Sequence, residues 1–193
     1  MTTLTRSIAA GTDDAQELSG TVNLTNTYVN ANNAGQIIGL RFTNITIPPG
    51  STINSATLTV NVTSSTYDDP NVSIRGSGEA NPATFNNDNN HLSNRAKTSA
   101  AVTWSAANIG SGAETTPDLA TLVSEMIALA GWASGNAMAF YMTGNSGTAL
   151  RIYAYENGSD MVQLTIDYTA PAAAANPKLI RVRLTSRVGG LLA

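Results

Sequence analysis

Along this chain apolar and polar residues alternate at period two far more often than at the helical period. The clearest run is 53–62, where Ile53, Ala56, Leu58, Val60 and Val62 fall nearly on one face. Side chains of a strand point alternately to its two faces, so such a run predicts a half-buried strand. Residues 37–47 obey the same rule, with Ile38, Leu40 and Phe42 together, and residues 21–29 obey it more loosely. Pro48-Pro49-Gly50-Ser51 separates two of these runs as a turn, and Asp68-Asp69-Pro70-Asn71 ends another. A new strand starts at Val72, residues 76–98 read as loop, and 100–104 read as a short strand ending on Trp104. The nearly continuous apolar run 136–144 predicts a central strand buried on both faces. Residues 149–158 and 161–168 read as a hairpin turning at Asn157-Gly158.

One segment breaks the period. From Thr116 to Gly131, residues Leu119, Leu122, Val123, Met126, Ile127 and Ala130 form a stripe at helical spacing. Thr116 suits the N-cap, Pro117 the first helical position, Asp118 the first turn, and Gly131 the stop. About eight short strands with a single helix predict an all-β protein, an antiparallel jelly-roll β-sandwich over residues 1–169. The helix would lie as a lid across an end or edge of a sheet.

The sandwich pattern ends at Tyr168, but the chain does not. Residues 170–177 form an Ala/Pro linker, and residues 178–193 then write another strand. Leu179, Arg181 and Arg183 alternate with Ile180, Val182 and Leu184, followed by Arg187 and the pair Leu191-Leu192. An isolated strand has unsatisfied backbone groups and must pair with something. It can fold back as an extra edge strand, or add to a neighbouring subunit. The tether favours the second outcome, making residues 178–193 an assembly arm for other copies or other proteins.

Charge sharpens this division. The chain is 42% apolar but only 12% charged, so hydroxyls and amides cover its surface. The arm carries +4 and the remainder −7, an asymmetry suited to docking a basic arm on an acidic body. The arm's basic residues alternate with apolar ones and lack interleaved aromatics, so nucleic acid is not the expected partner. No apolar run reaches membrane-spanning length, and Met1–Asp14 lacks the apolar stretch of a signal peptide. The expectation is a protein made in a cytoplasm, with no membrane partner.

Candidate chemistry is sparse. There is no cysteine, and the one histidine, His91, sits in an Asn-rich loop without a nucleophile motif. The acids sit mostly at turns rather than as a facing pair. No enzyme is expected, and no cofactor is required. Asp13, Asp14 and Glu17 near the first strand, with Asp167 in the last, are candidate ligands for a structural calcium, although a solvated acidic turn explains them more simply. Arg151, Tyr153 and Tyr155 fall on one face of a strand and are candidate glycan contacts. The simpler alternative is that these tyrosines cover the core or a subunit contact.

Three segments carry a resemblance: 38–60 (with "IPPGSTINSA"), 116–144 (with "GWASGNA") and "LTIDY" at 164–168. Together they resemble a β-sandwich module of large secreted polymer-binding proteins (the DNRLRE-like, carbohydrate-binding-like modules) and of tailed-phage virion surface proteins. The resemblance implies a jelly-roll fold over residues 10–169 and says little about function. The members in secreted chains act as carbohydrate-binding-like modules. This chain adds a basic terminal strand instead of a signal peptide and a catalytic domain. What the resemblance then implies is a virion structural protein, a capsid decoration or tail-surface protein assembled with its own copies or other virion proteins. The alternative it implies is a carbohydrate-binding module that attaches to polysaccharide.

Overall fold

A computed structural model describes residues 1–172. In chain order the strands are β1 (Thr2–Ser7), β2 (Asp14–Leu18), β3 (Thr21–Asn23), β4 (Tyr28–Ala31), β5 (Ile37–Phe42), β6 (Thr52–Val62), β7 (Asp68–Asp69), β8 (Asn71–Gly76), β9 (Val102–Ser105) and β10 (Gly112–Thr115). Helix α1 (Ala120–Ile127) follows, then β11 (Met138–Gly144), β12 (Ala149–Tyr153), a 3-10 turn at Tyr155–Asn157, and β13 (Gln163–Thr169). The first sheet runs β1-β13-β6-β12-β4, with β10 also on β6 and β7 also on β12. The second runs β3-β2-β5-β11-β8-β9, and the pairings in both are antiparallel. The two sheets face each other as an antiparallel jelly-roll β-sandwich.

The alternation seen in the sequence builds the core. Ala56, Leu58, Val60 and Val62 of β6 point inward against Ile38, Leu40 and Phe42 of β5 and Phe140 of β11. Phe42 and Phe140 meet edge to face, their ring centroids 6.2 Å apart. β11 lies between β5 and β8 and is buried on both faces, as its unbroken apolar run implies. Helix α1 packs against β6 and β8, so it closes one side between the two sheets. Leu122, Val123, Met126 and Ile127 enter the core.

Three expectations are corrected. The helix starts later than the cap residues suggested, because those residues serve β6 instead. The Thr116 hydroxyl accepts from Leu58 N–H at 3.1 Å, and Asp118 accepts from Ala56 N–H at 2.8 Å as well as from Ala120 N–H. Ala130 lies past the helix end and is exposed. The expected hairpin of 149–158 and 161–168 does not form. β12 and β13 lie end to end along one edge of β6, with the 3-10 turn and Gly158 (φ 78°) between them. Finally, β1, read as a polar terminus, pairs along its length with β13. First and last strands of the sandwich are therefore neighbours.

Two of the three segments that carry the resemblance clasp each other at one end of the sandwich. Gly50 (φ 76°) turns the chain after Pro48 and Pro49. Trp132 donates from its indole N–H to the Ile47 carbonyl at 3.1 Å. Ile45 exchanges backbone hydrogen bonds with the Gly135–Asn136 segment at 2.9 Å each. These motifs hold architecture together; they hold no reactive group. The linker's far end and the arm (Leu179, Ile180, Arg181, Val182, Arg183, Leu184, Arg187, Leu191 and Leu192) lie outside the described residues.

Candidate functional site

Residues 77–98 cross the outer face of the second sheet and seal it. Phe85 and Leu92 reach down onto Ala15, Ile37, Ala139 and Tyr141, forming a second small core. Gly39 makes room for them, since a Cβ there would stand 2.9 Å from both side chains. Charged groups fasten the cover. Glu17 accepts from Leu92 N–H at 2.7 Å and Ser93 N–H at 3.0 Å. The Lys97 ammonium donates to the carbonyls of Leu92, Ser93 and Arg95 and lies 5.0 Å from the Tyr141 ring centre. Burial lowers the Lys97 pKa and pushes Tyr141 up to about 12. His91 belongs to this cover. Its ring lies edge-on to Phe85, its Nε2 is 2.9 Å from Arg95, and burial lowers its pKa.

Among the described residues the outer face of the first sheet has no such cover. Its centre is uncharged: Thr5, Thr165 and Thr57 stand in one row across β1, β13 and β6, and Gln163, Thr59 and Thr115 continue the next. At one side of this face the character changes. The Arg151 guanidinium lies 3.7 Å from the ring centre of Tyr67 and 4.7 Å from that of Tyr28. Its Nε–H donates to the Thr63 hydroxyl at 2.9 Å. Register places Tyr153 directly opposite Tyr28. The cluster thus draws on β4, β12, the residue after β6 and the turn before β7. A cation on an aromatic face at these distances is worth about 0.5–1 kcal/mol when exposed and more when desolvated. Tyr28 remains 38% exposed, so ring surface is left for a ligand.

The glycan row expected from the sequence is therefore rearranged. Arg151 and Tyr153 share the outer face, but β12 stops at Tyr153 and Tyr155 turns away. Tyr155 packs against the main core, and its N–H donates to Asp14 at 2.7 Å. Tyr28 and Tyr67 take its place beside Arg151. Both come from distant stretches whose local pattern marks them only as a strand end and a turn, so one-dimensional spacing had no signal for them.

The four candidate calcium ligands do not converge. Asp13 pairs with Arg41. Asp14 is buried against Tyr155, Glu17 is bound to the cover, and Asp167 sits on the first sheet beside the hydroxyls of Thr3 and Ser55. Among the described residues no group of three or more acidic or histidine side chains could hold a metal ion. These four carboxylates do not together form one site. Asp14 is perturbed for another reason. Burial, joined by the Glu156 and Asp13 carboxylates, pushes it up to about 7 against the pull of the Tyr155 N–H.

The chain is, by its two sheets and their strand order, a jelly-roll β-sandwich; among the described residues one outer face is sealed and the other is open. No family model matches it, and no curated protein matches it. Among solved structures it is similar to a CBM35 module from Cellvibrio japonicus Abf62, at 13% identity over 84% of this chain and 92% of that one, with a TM-score of 0.41. It is also similar to a family 35 carbohydrate binding module from Clostridium thermocellum, at 9% identity over 85% and 98%, with a TM-score of 0.34. At these values the likeness carries no argument about function.

Proposed function

We propose that this protein is a non-enzymatic binding module that attaches to polysaccharide through the Arg151 cluster. The observation behind this reading is the combination of a stacked guanidinium and half-exposed tyrosine rings beside rows of threonines, on a sheet face that no other described segment covers. Sugar rings present C–H faces that pack on tyrosine and hydroxyls that bond to amides, phenols and guanidinium groups. A glycan array tests it. The wild-type chain should bind a subset of glycans, and Tyr28→Ala and Tyr67→Ala should each weaken that binding. An empty array, or binding indifferent to both changes, refutes the reading.

A second reading rests on a different feature. Among the described residues β1 pairs only with β13, so its other edge is open, and β13 leads directly into the linker. An open edge is a template for strand addition. In this reading the protein is a structural component of a tailed-phage virion, held on the particle by the arm at 178–193. Removing those residues should abolish oligomers or particle association, and normal assembly of the shortened chain would reject it.

A further inference from the structure

Resting on the polysaccharide reading, we propose that the Arg151 cluster selects acidic saccharides, those carrying a carboxylate or sulfate on the sugar ring. A planar guanidinium presents five N–H donors in a fixed fork. At Arg151 one donor, Nε–H, is committed to Thr63. The Tyr67 and Tyr28 rings lie against the guanidinium and accept no strong hydrogen bond from it. Among the described residues its two Nη groups have no hydrogen-bond partner and the guanidinium has no ion pair; the described ion pairs are Arg41–Asp13 and Arg95–Glu79.

The other arginines of the sandwich body show how unusual this is. Arg41 meets Asp13 and the Pro82 carbonyl, and Arg75 meets the carbonyls of Thr98 and Ser99. Arg95 meets Glu79 and two carbonyls, and Arg6 meets the carbonyls of Asn44 and Thr5. In each of those arginines at least one Nη group donates to a carbonyl or carboxylate. Arg151 alone among them has its guanidinium oriented by two rings and a hydroxyl while its outer donors stay uncommitted. Thr63 fixes the rotation of the fork, and the rings fix its plane. An oxyanion with two oxygens fits such a fork by two parallel charge-assisted bonds, which neutral hydroxyls cannot match.

A matched pair of ligands tests this. Galacturonic acid trimer and galactose trimer differ at C6, where one has a carboxylate and the other a hydroxymethyl group. A sulfated galactose trimer separates sulfate from carboxylate. Titration calorimetry should show binding of the uronate or the sulfated trimer, and Arg151→Gln should weaken it about tenfold or more, as loss of a charge-assisted fork requires. Arg151→Lys keeps the charge but not the fork and should restore only part of the affinity. Thermal melts of both variants check that the sheet is intact, and Thr63→Val provides a second variant that leaves the charge in place and should weaken binding less. Equal binding of the neutral and acidic trimers, unchanged in Arg151→Gln, overturns the acidic preference while leaving polysaccharide attachment standing. Failure to bind any trimer, together with an empty glycan array, overturns both.

Discussion

The second sheet wears a roof of residues 77–98, whereas no described segment covers the outer face of the first sheet. The difference begins in the side chains that point outward. On the second sheet these are Ala15, Ile37, Ala139 and Tyr141, which need covering, and Gly39 leaves a hollow for Phe85 and Leu92. On the first sheet they are Thr5, Thr57, Thr59 and Thr165, polar side chains that tolerate exposure to solvent. Cations follow the same division. Lys97 and Arg95 are spent on carbonyls of the roof, while Arg151 is merely stacked and anchored. One face uses its charged groups to hold its cover, and the other keeps a guanidinium whose Nη groups have no hydrogen-bond partner among the described residues.

The largest effect should come from breaking the roof. Phe85 is 2% exposed and fills the space above Gly39. Phe85→Ala should cost about 3–5 kcal/mol, the usual range for emptying a packed aromatic site. Urea denaturation reads the loss, and faster hydrogen exchange confined to 77–98 shows where it acts. If stability is lost evenly with no local exchange change, the roof is not a separable unit.

A smaller, pH-dependent effect sits at the seam between the sheets. Asp14 is buried, with its pKa raised from 3.8 to about 7. The folded chain therefore holds a proton that the unfolded chain releases at lower pH. Stability falls as pH rises between about 4 and 7, and the whole penalty is present above that window. Asp14→Asn keeps an oxygen for the Tyr155 N–H and removes the penalty. The variant's melting temperature should exceed that of the wild type at pH 8, with the gap closing toward pH 4. A gap that is constant with pH would show that Asp14 is not the titrating group. This separates a carboxylate buried for geometry from the outward-facing acid Asp167, which sits among hydroxyls.

What could be read without the structure follows from range. The period-two runs in β5 and β6, the buried run in β11 and the apolar stripe of α1 are local patterns, and each located its element. β1 was missed because its outward residues are threonines and only Leu4 is a buried apolar residue within it. The hairpin of β12 and β13 was misread because sequence adjacency suggested mutual pairing, whereas both find β6. The Arg151 cluster was half legible. Arg151 and Tyr153 share a strand, but Tyr28 and Tyr67 reach them only through strand pairing across more than eighty residues. The carboxylates 13, 14 and 17 looked like a group in one dimension, yet alternation and the turn before β2 send them to three different partners.

The smallest effect concerns the threonine rows and decides what the bare face is for. Thr57 and Thr165 are neighbours across β6 and β13, half-buried, with no side-chain bond to the rest of the fold among the described residues. Thr57→Val and Thr165→Val keep the β-branched shape that a strand prefers and remove only a hydroxyl that has no described protein partner. Each should change stability by less than about 0.5 kcal/mol, the usual bound for surface substitutions away from special features. The informative readout is binding. If recognition is confined to the Arg151 cluster, glycan affinity is unchanged in the double variant. If affinity falls as it does in Tyr67→Ala, the ligand extends over the threonine rows, and the whole first sheet is the binding surface. Either result defines how far a contact face would reach, because β6 runs from the threonine rows to Thr63 beside Arg151, while among the described residues no side-chain hydrogen bond joins the two halves and carries one substitution into the other.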